Sequence, residues 1–216
     1  MTNRRPSSAR WLEEHRNDPY VAAARREGYR SRAAFKLLEL DASVAARNRG
    51  KGLLCPGNVV AELGAAPGGW TQVAVQRVGE RGRVVAVDLL PMDPIPGAQI
   101  FCGDFLDDGL LNELHTWLGP NGRADVILSD MAPNMTGMKI ADQGRGAMLA
   151  EAAFEFAESV LRPGGHLVVK LFHGPEFHLM VRMARTRFEG VKVEKPPASR
   201  DRSAEHYLIA LGFRGS

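Results

Sequence analysis

A lysine inside an otherwise apolar strand needs a reason to be there, and the run His166-Leu167-Val168-Val169-Lys170 contains one. Moving an ammonium out of water costs on the order of several kcal/mol unless a countercharge comes with it. Asp130, in Ser129-Asp130-Met131-Ala132-Pro133-Asn134, ends the preceding strand candidate and is the natural partner. Lys36 raises the same question inside the apolar helix Ser31–Leu40 (SRAAFKLLEL). A buried Asp–Lys pair serves structure as readily as catalysis, so its surroundings must decide which it is.

Those surroundings read as a ligand site. In an open parallel sheet, ligands bind beyond the carboxyl ends of the strands. The first strand candidate ends in Glu62-Leu63-Gly64-Ala65-Ala66-Pro67-Gly68-Gly69-Trp70, a glycine-rich turn into a helix where the backbone can approach a ligand closely. Its spacing is GxxxGG rather than GxGxxG, which weighs against a dinucleotide. Asp88 ends the second strand, 24 residues after Gly64, where a carboxylate can accept from both hydroxyls of a ribose. Asp104 follows the third strand and is placed to meet an adenine amino group. With Asp130, acids at three successive strand ends fit an adenosyl ligand, but by themselves they do not separate a nicotinamide dinucleotide from S-adenosylmethionine.

The positioning elements alternate. Strands are expected at Val59–Leu63, Arg83–Val87, Gln99–Cys102, Asp125–Leu128, His166–Leu171, Val191–Glu194 and Tyr207–Leu211. Besides Ser31–Leu40, helical spacing marks Thr71–Val78, Leu110–Leu118, Ala147–Leu161 and Phe177–Arg187. Pro163-Gly164-Gly165 is expected to end the long helix and turn the chain into the next strand. This alternation predicts an α/β fold, a Rossmann-like, mostly parallel seven-stranded sheet with helices on both faces.

A chain of 216 residues suits one domain. Its apolar runs are far shorter than the ~18 residues of a membrane span, and no secretory pattern follows the basic start, so a soluble cytoplasmic protein is expected. Cys55 and Cys102 lack ligand or disulfide spacing, and the six histidines are scattered, so no metal is expected. Residues 1–36 hold nine Arg or Lys against four Asp or Glu, while the rest of the chain is slightly acidic. Such a front suggests a polyanion partner. Two units are expected, a basic polyanion-binding extension, 1–30, and a main domain, 31–216.

Lys36 in SRAAFKL, Asp130 in SDMAPN, Lys170 in VVKLF and Glu205 in SRDRSAEHY resemble the Lys-Asp-Lys-Glu tetrad of the FtsJ-type ribose 2′-O-methyltransferases. ELGAAPGGW, AVDLLPMDPI and SDMAPNMTG carry the likeness further, to that family's bacterial enzymes of large-subunit ribosomal RNA, from about Arg10 to Leu211. The resemblance implies S-adenosyl-L-methionine as cofactor and a uridine of 23S ribosomal RNA in the large subunit as substrate, with a contribution to ribosome assembly. It makes Lys36, Asp130, Lys170 and Glu205 catalytic. It assigns Gly68, Trp70, Asp88, Asp104 and Asp130 to the cofactor, and we add Gly64, Pro67 and Gly69 of the same turn. A monomer without a stable protein partner or membrane is expected with it. Two stretches, 138–146 and 173–176, depart from the family pattern.

Lys170 is then the candidate base, or failing that the group that orients the hydroxyl, with Lys36 and Glu205 holding the ribose. Arg4, Arg5, Arg10, Arg25, Arg26, Arg30 and Arg32, with Lys192, Lys195, Arg200 and Arg202, are candidates for framing the RNA mouth. Trp11 and Tyr20 can either stack bases or anchor the arm, and Trp70 can either pack or line the pocket. Three other readings stay open: the same chemistry on a transfer RNA anticodon loop, a nicotinamide-dependent oxidoreductase, and a catalytically silent RNA-binding protein.

Overall fold

The computed structural model describes residues 18–119, 123–134, 136–200 and 203–215. Helix α1 (Pro19–Glu27) opens the described chain, although sequence reasoning expected only a basic arm there. Its signals are local. Asp18 accepts a hydrogen bond from the Tyr20 amide, Pro19 fills the first turn, and Gly28 closes the helix at φ 76°. Tyr20 donates to Glu39 at 2.9 Å and its ring meets Phe35 at 5.5 Å, so residues 18–30 of the expected extension pack against the helix that follows. Trp11, Arg4, Arg5, Arg10 and Arg202 lie outside the described residues.

Helix α2 (Ala33–Arg47) buries Ala34, Leu37, Leu40, Asp41 and Val44 along one stripe. The chain then alternates: β1 (Val59–Leu63), α3 (Gly69–Val78), β2 (Arg83–Asp88), β3 (Ala98–Cys102), α4 (Asp108–Leu118), β4 (Ala124–Ser129), α5 (Lys139–Val160), β5 (Leu161–Phe172), α6 (Phe177–Arg187), β6 (Phe188–Glu194) and β7 (Glu205–Phe213). All seven expected strands form. The sheet order is β3-β2-β1-β4-β5-β7-β6. β7 runs antiparallel between β5 and β6, and the other pairings are parallel. Because strand side chains alternate, one set (Val60, Val84, Leu128, Val168, Ile209) packs on α2 and α3. The opposite set (Ala61, Val85, Ile127, Val169, Leu208) packs under α4, α5 and α6.

Several boundaries differ from expectation: α2 runs on to Arg47 rather than ending at Leu40, β6 starts at Phe188 rather than Val191, β7 spans Glu205–Phe213 rather than Tyr207–Leu211, and the starts of α5 and β5 move as well. Helix α5 begins at Lys139, not Ala147, because its first turns stand clear of the core: Ile140 is exposed, and Gly144 and Gly146 interrupt the apolar spacing. What holds this start is Asp142, which accepts from the Thr136 amide and hydroxyl and the Gly137 amide and pairs with Arg145. Strand β5 starts at Leu161 rather than His166. Pro163-Gly164-Gly165 forms a bulge within it, between the pairs Ala124–Leu161 and Val126–His166.

Candidate active site

The strand register builds the site. Val87, Leu63, Ser129, Val169 and Leu208 align across β2, β1, β4, β5 and β7. The next position along each strand places Asp88, Gly64, Asp130, Lys170 and Tyr207 in one row at the sheet's edge, on the face that carries α2 and α3. Lys36, on the face of α2 turned to that row, completes it.

These residues form a continuous polar chain. Lys170 Nζ lies 2.6 Å from Asp130 Oδ1 and donates to the Asp130 carbonyl at 2.7 Å. The Tyr207 hydroxyl donates to the same Oδ1 at 2.6 Å and accepts from Lys36 Nζ at 3.2 Å. Lys36 pairs in turn with Glu205 Oε1 at 2.6 Å. The structure therefore brings Lys36, Asp130, Lys170 and Glu205 into one network. Two amines face two carboxylates, so the cluster is compensated although Lys170 and Glu205 are each only 8% exposed. Burial pushes the Glu205 carboxyl up, but Lys36 outweighs it and the net shift is downward. Tyr207 is held well above the ordinary phenol range by burial and by the charges of Asp130 and Glu205, so it stays a hydroxyl donor.

Tyr207 received no role in the sequence reading. The signal was available: two residues after Glu205 on the same strand means the same face, at the same end.

A cavity of about 340 Å³ opens on one side of the chain, lined by Gly64, Asp88, Asp104, Phe105 and Asp130, with exposed Leu89, Leu90 and Leu106 at its rim. A second of about 480 Å³, lined by Arg32, Ala33, Lys36, Arg200, Ser203 and Glu205, opens on the other. Asp130 lines the first; Lys36 and Glu205 line the second. Asp88 Oδ2 accepts from the Ala66 amide and Oδ1 from the Leu90 amide, both at 2.8 Å, which leaves each oxygen a further lone pair facing the pocket region. Asp104 is exposed and accepts from the Leu106 amide.

The glycine turn divides. Gly64, at φ 76°, lies so close to Met131 that a Cβ would stand 2.8 Å from its backbone. Pro67, Gly68, Gly69 and Trp70 are not among the residues that line the cavity. Gly68 makes room for Ile95 and Arg30, and Gly69 for Ser31. The Trp70 indole is 2% exposed, donates to the Ala33 carbonyl at 2.7 Å and packs on Tyr207. Of the two readings of Trp70, the side chain takes the packed one.

The basic residues divide too. Arg30 donates to the carbonyls of Pro67, Asp93 and Pro94 and clips the loop after β2 to the glycine turn. Arg32 is bound to Asp18 and to the Ala198 carbonyl. Lys192 pairs with Glu194. Among the described residues, no group of three or more His, Cys, Asp or Glu side chains is placed to hold a metal, and no helix is long and apolar enough to cross a membrane.

Glu62 is the other residue without an assigned role. It is 1% exposed, and Oε2 accepts from the Thr71 hydroxyl at 2.6 Å while Oε1 has no partner. Burial raises its carboxyl to about 8, with Thr71 opposing and the charges of Asp130 and Asp88 adding.

The geometry can now be set beside known proteins. The chain is 60% identical to ribosomal RNA large subunit methyltransferase E of Magnetococcus marinus over 215 residues, covering 100% of both chains. It is 49% identical to the protein of that name from Legionella pneumophila over 211 residues, 98% of each. The crystal structure of a ribosomal RNA methyltransferase from Plasmodium falciparum superposes with a TM-score of 0.76 at 29% identity, covering 87% of this chain and 100% of that one. Human methyltransferase-like protein 13, solved in complex with SAH, shares the fold alone, with a TM-score of 0.53 and 14% identity over 83% of this chain and 79% of that one. Residues 29–213 match the model of the FtsJ-like methyltransferases, and by that match and these identities the chain belongs to the FtsJ-like methyltransferase family.

Proposed function

We propose that this protein methylates a ribose 2′-hydroxyl of 23S ribosomal RNA, at a uridine of the large subunit, with S-adenosylmethionine as donor. The observation that carries this reading is the polar chain from Asp130, which lines one cavity, to Lys36 and Glu205, which line the other. A methyl donor and a methyl acceptor need two pockets meeting at one point. The names of the relatives supply the RNA class.

The smaller cavity fits the cofactor. Asp88 retains acceptor capacity for ribose hydroxyls, Asp104 is exposed beside an apolar rim suited to an adenine face, and the carboxylates of Asp88 and Asp130 suit a cation. When bound, the cofactor supplies a carbon already activated by its sulfonium.

The protein's part is to place the hydroxyl oxygen and manage its proton. Lys170 is anchored by two hydrogen bonds to Asp130, and its remaining position meets the 2′-oxygen. For Lys170 to act as base it first hands a proton to Asp130 along the 2.6 Å contact, then turns about its Cε–Nζ bond so that the freed lone pair meets the hydroxyl and takes its proton as the oxygen–carbon bond replaces the carbon–sulfur bond. Lys36 and Glu205 hold the sugar from the second cavity. Arg32 and Arg200 line that cavity and offer charge to the adjoining phosphates, which is also the use we give the basic extension.

Tritium transfer from labelled cofactor to purified large subunits, with mapping of 2′-O-methylation on the product, tests the proposal. Wild type labels a uridine of 23S RNA. Lys170→Ala lowers turnover by at least about a hundredfold, the low end of general-base contributions, with cofactor affinity within a few fold. Label on transfer RNA alone overturns the substrate, and near-normal turnover of Lys170→Ala overturns the assignment of Lys170.

A further inference from the structure

Three carboxyl groups share one face at this end of the sheet, Asp88 and Asp130 in the lining of the smaller cavity and Glu62 one row below them, and two are provided for. Asp130 has Lys170 and Tyr207, and Asp88 has two backbone amides. Glu62 has one hydroxyl on one oxygen and nothing on the other, at 1% exposure. The register fixes where it sits: Glu62 pairs with Ala86 of β2 and Leu128 of β4, two residues before Asp88 and Asp130. It therefore lies directly beneath Gly64, on the same face and between the two acids.

Among the described residues, no cation compensates it. The charged groups on the neighbouring strands are Asp88 and Asp130, both negative; α3 contributes Thr71, and its Arg77 is paired with Asp41. Lys170 of β5 is committed to Asp130, and Lys36 of α2 to Glu205. A buried, uncompensated carboxyl beside two carboxylates stays neutral until a positive charge arrives nearby.

We infer that Glu62 is a proton-holding floor to the cofactor cavity. It is protonated in the ligand-free protein and releases that proton to solvent when a cationic ligand enters beside Asp88 and Asp130. The sulfonium cofactor then binds with proton release, and the neutral thioether product binds without it. This inference rests on the S-adenosylmethionine reading. Its consequence is discrimination by charge: loss of the methyl group removes the cation, Glu62 takes its proton back, and the product is held less tightly. The raised titration of Glu62 to about 8 agrees with this arrangement, which the orphaned oxygen and the register establish independently.

Calorimetric titration of the full chain with S-adenosylmethionine and with S-adenosylhomocysteine, from pH 6 to 8, tests it. Both ligands carry an α-amino group that is largely protonated up to pH 7, so over the pH 6 to 7 part of the range it cancels in the ratio of their affinities. The ratio is expected to shift towards the sulfonium ligand by up to roughly tenfold per pH unit. In two buffers of different ionisation enthalpy at pH 7, the sulfonium ligand releases close to one more proton than the thioether. Glu62→Gln flattens the ratio across the range. A wild-type ratio constant with pH overturns the inference, and that measurement needs no variant to fold. A Glu62→Gln ratio that still follows wild type overturns it as well. If neither ligand binds, it is the cofactor reading that fails; if both bind with equal proton counts, only the role of Glu62 does.

Discussion

Replacing Glu62 with Gln is expected to make the ligand-free protein less stable than wild type at pH 5 and more stable at pH 8. The sign follows from the direction of the shift. In the unfolded chain Glu62 ionises near the ordinary value of 4.5, whereas in the fold it holds its proton to about 8. A folded-state pKa above the unfolded one contributes stability that is fully present below 4.5 and drains away as the pH rises to 8. At about 1.4 kcal/mol per pH unit, the loss reaches about 2 kcal/mol at pH 6 and a ceiling of about 5 kcal/mol at pH 8. Gln does not titrate, but its amide brings donors into a site where one oxygen already lacks a partner, a fixed cost of about 1–3 kcal/mol. The two stability curves therefore cross near pH 6. Urea denaturation of both proteins at pH 5, 6, 7 and 8 measures the difference, and titrating groups that do not interact with Glu62 cancel in it. A difference that keeps one sign and magnitude across the series refutes the claim that Glu62 is neutral in the fold.

Tyr207→Phe removes a hydroxyl bonded to Asp130 and Lys36 without opening a sizeable cavity; with hydrogen bonds to charged groups worth about 1.5–3 kcal/mol, kcat should fall about ten- to a hundredfold while cofactor Kd is unchanged, read in single-turnover methylation. Glu205→Gln should destabilise the protein at neutral pH, and the penalty should disappear in acid, because the depressed pKa of Glu205 contributes stability above the ordinary carboxylate range that is lost as pH falls through its folded value; thermal melts at pH 7 and pH 3 compare the two. Arg30→Ala frees three carbonyls that tie the loop after β2 to the glycine turn, and should raise the cofactor Kd severalfold with little change in kcat, since Asp88 and Leu90 begin that loop.

What sequence conveyed about this fold was whatever has a period. β1 was placed to the residue, Val59–Leu63, because an apolar run bounded by turn signals leaves little choice. Helix α1 was missed although Asp18, Pro19 and Gly28 mark both its ends, because its arginines drew attention to charge instead of caps. The early turns of α5 were missed because they hold no core-facing stripe: Ile140 is exposed, and order there comes from Asp142 gathering the Thr136 and Gly137 donors. In the site, the acids at strand ends were legible one at a time. The partition of the glycine turn was not: what each glycine touches, Met131 for Gly64 and Arg30 for Gly68, comes from elements distant in sequence.

The two residues that sequence reasoning left idle, Tyr207 and Glu62, show how the sheet concentrates function at one edge. Each shares the face of Lys170, Tyr207 in the same row and Glu62 one row below. Their buried polar groups meet opposite fates for a structural reason. β7 enters beside β5, which brings the Tyr207 hydroxyl between Asp130 and Lys36, where it both donates and accepts. β1 lies between β2, which ends in Asp88, and β4, which Asp130 follows, so Glu62 meets repulsion on either side and, among the described residues, finds only the Thr71 hydroxyl. A buried tyrosine so placed connects charges, and a buried glutamic acid so placed waits for one. The order of strands at the centre of the sheet thus sets a fixed relay from Asp130 to Lys36 and leaves a titrating group at Glu62.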